Sequence, residues 1–153
     1  MIDFEIPEET KLVRGIVREF VHDVCIPAEK GLTVDTYDEI LSDLRQKARA
    51  KGLWCPFFPV EWGGMGLKPL ANALVQMELG ESILGALALN TQGPDDATMM
   101  TLLHHGTEHQ HEAFLKPLVA GEKRVCYAMT EKGGGADATG MKTSAVEDGD
   151  NYV

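Results

Sequence analysis

Residues Tyr127 to Asp137 read Tyr-Ala-Met-Thr-Glu-Lys-Gly-Gly-Gly-Ala-Asp. Val125, Tyr127 and Met129 alternate with Cys126, Ala128 and Thr130, the period of two that marks a strand. Gly133, Gly134 and Gly135 follow. Residues without a Cβ take torsions closed to others and let main chain approach a ligand closely. Such a bend can aim several N–H groups at one anion, so strand plus bend is a candidate cradle for a phosphorylated cofactor. The same three glycines would also serve as an ordinary flexible turn. The spacing matches neither the dinucleotide fingerprint nor the Gly-Lys-Ser/Thr ending of a P-loop.

Other residues of chemical type read more plainly. His104, His105, His109 and His111 have the look of a metal cluster, but Gly106 separates them into two predicted helices, and zinc sites take three or four well-placed ligands. They read as helix-end histidines favoured by the dipole, and no metal is expected. Asp95 and Asp96 read as helix caps, and Glu61 as part of a structured loop. Met65, Met77, Met99 and Met100 suit either core filling or an apolar ligand tunnel. Cys25, Cys55 and Cys126 form no C-x-x-C pair and read as buried free thiols. No nucleophile elbow or Ser-His-Asp order is present, so no catalytic residue is assigned in this chain.

The elements that must position the glycine-rich bend are mostly helical. Leu12, Val13, Ile16, Val17, Phe20, Val21 and Val24 form an apolar stripe at helical spacing, opened by Pro7 with Glu8 and Glu9 and ended at Ile26–Pro27. A second helix over 35–50 carries Tyr37, Ile40, Leu41, Leu44 and Ala48, with Gly52 past its end. Residues 54–69 are too rich in Pro and Gly for regular structure and should pack beneath the helices as a shaped loop. Further helices are predicted over 68–79 and 83–89, and from Asp95 or Asp96 to His105. Thr107-x-x-Gln110 has capping-box spacing and opens a helix bearing Phe114, Leu115 and Leu118. Beyond Gly121 the period becomes two. Strands are predicted over 124–130 and 143–147, with a turn at Asp148–Gly149.

The chain has 153 residues and a net charge of −10, with 44% hydrophobic and 25% charged residues. That composition suits one well-cored domain. The acidic balance argues against nonspecific nucleic-acid binding, and no stretch approaches the eighteen or so apolar residues of a membrane span. Met1 to Glu5 is acidic, without a basic region before an apolar core, so no secretory signal is expected.

Four motifs in register carry a family resemblance. They are Trp54, Pro56, Pro59 and Glu61–Trp62–Gly63–Gly64–Met65–Gly66; then Gly106–Thr107–Glu108–His109–Gln110 with Leu115–Lys116–Pro117–Leu118 and Gly121–Glu122; then Tyr127–Asp137; and Met141–Thr143 with Asp148 to Val153. Across essentially the whole chain they resemble the acyl-CoA dehydrogenases. The stretch from Asn90 to Met100 resembles the branch with larger multidomain members. In two places the sequence departs from the family pattern: Lys132 stands where the family has proline, and Ala136 where it has the serine at which flavin pyrophosphate and acyl thioester meet.

The resemblance implies a mainly α fold, with residues 1–121 as the N-terminal helical bundle and residues 122–153 as the first strands of a β domain. It implies FAD as cofactor, held by Tyr127, Met129, Thr130, Gly133, Gly134, Gly135 and Ala136. Ala136, Met99 and Met100 would face an acyl-CoA substrate, which is oxidised to the 2-enoyl-CoA. An electron-transferring flavoprotein would be the redox partner and a homo-dimer or tetramer the assembly. The compartment would be the cytoplasm in a bacterium, or mitochondrion or peroxisome in a eukaryote. The family's catalytic glutamate lies downstream of this segment, so the chain alone should be inactive. Two or three isolated strands make no stable sheet, so the natural protein is expected to continue past Val153. A same-fold oxidase or monooxygenase, a non-redox phosphate- or nucleotide-binding module and a purely structural helical partner stay open.

Overall fold

The structure, a computed structural model, describes residues 5–133 and 135–153. Helix α1 (Glu8–Phe20) follows Pro7, with both acids in its first turn. It packs against α4 (Pro69–Leu79). Val17, Phe20 and the next residue, Val21, are buried, whereas Leu12 is 66% exposed. Leu12 and Ile16 were expected in the buried stripe. They sit one residue, about 100°, around the helix from Val13 and Val17, outside the sector that α4 covers.

The expected stop at Ile26–Pro27 is corrected by the structure. Val21–Cys25 form a single π turn in which the Ile26 N–H reaches the Val21 carbonyl, and α2 (Ile26–Glu29) continues with Pro27 in its first turn. The wider turn gives the pyrrolidine ring room that a regular α turn denies it. The same device recurs downstream. Helix α7 (Glu108–Gln110) opens on the expected Thr107–Gln110 capping box, His111–Leu115 form a second π turn, and α8 (Lys116–Val119) carries Pro117 in its first turn.

Helix α3 (Tyr37–Ala50) buries Leu41, Leu44 and Ala48, and Gly52 turns the chain at φ 70°, a left-handed torsion that suits glycine. The segment from Leu53 onward packs as a shaped loop, as expected, with Trp54, Cys55 and Phe58 buried, but it also contains one short 3₁₀ helix at Val60–Trp62 that was not expected. Gly64 lies so close that a Cβ there would come 2.1 Å from the Phe58 carbonyl oxygen. The predicted helix over 83–89 is shorter in the structure. Helix α5 spans Gly85–Ala88; Leu84 and Leu89 fill the core, but Ile83 is exposed. Helix α6 (Asp95–His105) follows.

These helices enclose two apolar clusters. The first gathers Val17, Phe20, Val21, Leu44, Leu79, Leu84 and Leu89. The second gathers Trp54, Cys55, Phe58, Met99, Leu115, Leu118 and Val119. Between α1 and α4 the Glu78 carboxylate is 2% exposed and receives Arg14 Nε at 2.5 Å and Arg18 Nε at 3.0 Å. Burial alone would raise its pKa; the bonds and charges of the two arginines outweigh that and hold it below the ordinary carboxylate range.

The β portion is smaller than predicted. Among the described residues, 124–130 form no strand. The pairing is a hairpin of β1 (Glu147–Asp148) and β2 (Asn151–Tyr152), extended by mutual bonds between Val146 and Val153 at 2.9 Å. The alternating residues 124–130 have strand chemistry but no neighbour to pair with, and a ladder needs two edges.

Candidate functional site

The candidate segment leaves the helical body at the end of α8, where the exit is held by side chains. The last carbonyls of a helix lack intrahelical partners. Here Asn90 Nδ2 donates to the Leu118 carbonyl at 3.0 Å and Trp54 Nε1 to Val119 at 2.9 Å. Arg49 Nη2 donates to Ala120 at 2.6 Å and Arg45 Nη1 to Gly121 at 2.8 Å. Two cations at a helix C-terminus also complement its dipole, and the Arg49 guanidinium stacks 3.5 Å from the Trp54 ring centre. Asn90 holds its place with a left-handed φ of 54°, which asparagine adopts more readily than most residues.

Asp95 is not the cap that its position suggested. Asp96 is not the cap either: Pro94 holds the N-cap position of α6 without a side-chain cap bond, and Asp96, inside the first turn, accepts only the N–H of the next residue, Ala97, at 2.9 Å. Asp95 is 1% exposed. Its Oδ1 accepts the Val125 N–H at 2.7 Å, its Oδ2 accepts the Gln92 side-chain amide, and Arg124 Nε lies 3.7 Å away. A carboxylate before a helix looks like a cap in any sequence. Only the return of the chain at Val125 reveals the longer-range partner.

Beyond Val125 the segment is extended and open. Tyr127 is 61% and Met129 48% exposed, and Thr130 is exposed as well. Gly133 turns at φ 90°, and a Cβ on either Gly133 or Gly135 would meet nothing within 4 Å. Packing therefore demands neither glycine, although the left-handed torsion at Gly133 favours one there. Ala136 is exposed; Gly134 lies outside the described residues. Met129, Thr130 and Gly135 line one shallow pocket of about 50 Å³ with Glu131, Asp137, Ala138 and Met141. Tyr127, Gly133 and Ala136 are not among its lining residues, nor are Met99 and Met100. Met99 is fully buried in the second cluster and Met100 packs beside it.

Two carboxylates shape the bend, and the sequence reading gave neither a role. Glu131 accepts the Thr143 hydroxyl, the Thr143 N–H at 2.6 Å and the Lys142 N–H at 2.9 Å. Asp137 Oδ1 accepts the Thr139 N–H at 3.0 Å and the Thr139 hydroxyl. These donors hold both groups below the ordinary carboxylate range, the Thr143 hydroxyl first for Glu131 and the Thr139 hydroxyl first for Asp137. The signal available in sequence was a carboxylate followed at short range by a threonine, which is too common to single out.

The remaining reactive types sit apart from the bend. His111 Nε2 lies 2.8 Å from the Leu102 carbonyl oxygen and its ring meets Trp62 edge to face. Cys25 and Cys55 are buried as expected, and burial pushes the Cys25 thiol up to about 12 and that of Cys55 to about 11. Cys126 is exposed, contrary to expectation: Val125 before it still packs against the second cluster, but Cys126 and Tyr127 after it stand on the exposed side of an extended segment.

The arrangement fits a flavin as one wall of a larger site. Exposed Tyr127, Met129 and Thr130 offer apolar surface and a hydroxyl, and the uncrowded glycines leave main chain approachable. The pocket itself is far below the roughly 300–1,000 Å³ of an enclosed cofactor site, so a dinucleotide would need further walls.

A profile described as the acyl-CoA dehydrogenase N-terminal domain matches residues 7–122. The caffeyl-CoA reductase-Etf complex subunit CarC of Acetobacterium woodii is 32% identical over 152 residues, covering 95% of this chain and 38% of that protein. Acyl-CoA dehydrogenase family member 11 of Gallus gallus is 34% identical over 149 residues, covering 90% of this chain and 19% of its own length. The crystal structure of an acyl-CoA dehydrogenase from Geobacillus kaustophilus superposes with a TM-score of 0.70 at 26% identity, over 99% of this chain and 39% of that one. The chain thus spans well under half the length of each.

Proposed function

The chain belongs to the acyl-CoA dehydrogenase family through its N-terminal domain, and from that premise we propose that it serves an FAD-dependent oxidation of acyl-CoA thioesters to 2-enoyl-CoA. In this reading residues 1–121 are the helical domain and residues 122–153 open the β domain of the whole protein. FAD, when bound, supplies a hydride acceptor for the substrate Cβ. Tyr127 and Met129 would hold its ring, and Thr130 would hydrogen-bond the ring's polar edge through hydroxyl and main chain. Gly133, Gly134, Gly135 and Ala136 would offer main-chain N–H groups to the pyrophosphate, with Ala136 also toward the thioester. Met99 and Met100 stand behind the far end of the acyl chain. The base that removes the α-proton comes from outside this segment, so the segment alone turns nothing over. An electron-transferring flavoprotein and a homo-oligomeric assembly complete the reading. Among the described residues no helix is long and apolar enough to cross a membrane.

The observation that carries this is the exposure of Tyr127, Met129 and Thr130 together with the open space at Gly133 and Gly135. Thr130→Val in the whole protein tests it. A lost hydrogen bond amounts to roughly 0.5–1.5 kcal/mol, so FAD affinity or flavin potential should shift measurably. Ala136→Asp is the harsher arm, because a carboxylate beside a partly desolvated pyrophosphate repels it. Wild-type FAD affinity in that variant would remove the bend from the site.

A second reading runs the same site toward saturation of the double bond. It is favoured by the 32% identical relative named as a reductase. Anaerobic mixing separates the two: bleaching of the oxidised flavin by a saturated acyl-CoA supports dehydrogenation. Reoxidation of the reduced flavin by the enoyl-CoA much faster than that bleaching supports reduction.

A further inference from the structure

We propose that Asp95 is a positioning residue that sets where the Thr130 segment stands, by fixing the main chain at Val125. This rests on the flavin reading above. The carboxylate is buried at the start of α6, and Met99, one turn on, is fully buried in the second cluster. The acceptor is therefore held from the helix side. On the chain side it takes the Val125 N–H at 2.7 Å. It also stands 3.7 Å from Arg124 Nε, while Arg124 Nη1 reaches Tyr37 Oη of α3 at 3.2 Å. One carboxylate thus joins α6, the Gln92 segment before it and the outgoing chain. Val125 itself packs against the second cluster.

Among the described residues, Val125 is the last whose main chain hydrogen-bonds to the helical body. The later bonds, such as Glu131 to Lys142 and Asp137 to Thr139, are internal to residues 126–153. Thr130 lies five residues further on, a reach of at most about 17 Å for extended chain. A shift of the anchor is therefore passed to Thr130 with nothing in between to correct it.

Two variants separate the acceptor from the charge. Asp95→Ala removes the oxygen that Val125 uses. Asp95→Asn keeps an oxygen there and drops the charge toward Arg124. In this chain, amide hydrogen exchange at Val125 should accelerate about ten- to hundredfold in the alanine variant and stay near wild type in the asparagine variant. Protection at Leu102 and Leu103 in α6 reports that the body is still folded. In the whole flavoprotein, FAD binding should weaken about tenfold in Asp95→Ala and be restored in Asp95→Asn.

Val125→Pro removes the donor from the other side and leaves α6 untouched, so it serves if the alanine variant does not fold. It should weaken FAD by a similar factor. Unchanged Val125 exchange in Asp95→Ala overturns the proposal, as does wild-type FAD affinity in either Asp95→Ala or Val125→Pro. A wild-type protein that binds no FAD overturns the flavin reading instead, and the exchange result alone then decides whether Asp95 fixes the segment.

Discussion

The Trp54 indole and the Glu131 carboxylate both hold main chain in place, one from inside a core and the other from the surface. Trp54 donates to the Val119 carbonyl while its ring fills the second cluster and carries Arg49 on its face. Glu131 gathers the Lys142 and Thr143 N–H groups without any core beneath it. The first arrangement couples every contact to apolar burial, so its loss is felt through the whole body. The second is a local clasp, and its loss should be felt only where it acts.

The largest contrast to test is therefore between two aromatic truncations. Trp54→Ala should cost about 3–5 kcal/mol in urea unfolding of the chain. Tyr127→Ala, on the open segment, should stay within about 0.5 kcal/mol. Equal losses would break the distinction between the two regions.

Glu78 sharpens it by sign. Its folded pKa is depressed, so its contribution is present above the unfolded value of about 4.3 and is lost as pH falls through the folded value. Replacing Arg14 and Arg18 together by Met leaves a buried carboxylate unpaired, which costs about 3–5 kcal/mol at neutral pH. Its folded pKa then lies above the unfolded one. Stability from this group should fall, rather than rise, as pH increases through about 4.3. Thermal unfolding from pH 3 to 7 in wild type and double variant reads both slopes, and parallel slopes would show that Glu78 is not the buried partner described.

How much of this was legible before the fold depends on how local the cause is. The stripe Leu41–Leu44–Ala48 and the Thr107–Gln110 box depend on neighbours three or four residues away, and both stand where the spacing put them. The resemblance likewise located the helical domain that the profile matches. Asp95 was misread because its partner lies thirty residues on, at Val125. Strand 124–130 was overcalled because alternation reports what a side chain can face, not whether a neighbouring edge exists. Cys126 followed the same error. The glycine-rich bend was visible, but its carboxylate clasps at Glu131 and Asp137 have no distinctive spacing.

Glu131→Gln should accelerate amide exchange at Lys142 and Thr143 and leave the melting temperature of the helical body unchanged. A shift in that melting temperature would mean that the surface clasp is coupled to the core. The smallest perturbation is chemical. A thiol reagent at neutral pH should label Cys126 alone, because Cys25 and Cys55 are buried with raised pKa values. Labelling of Cys55 before unfolding would show that the second cluster opens.

The π turns ahead of Pro27 and Pro117 have a consequence for insertions and deletions. Each is an α turn carrying one surplus residue, and that residue advances everything after it by about 100° around the axis. Removing one residue from 21–25 or 111–115 would restore regular winding, press the proline ring against a carbonyl and swing the following residues off their present bearing. For α8, that bearing is what presents the Leu118 and Val119 carbonyls to Asn90 and Trp54. The length of those two turns is thus part of the aim of the chain, and a single codon lost there would misdirect the exit without altering any residue that touches it.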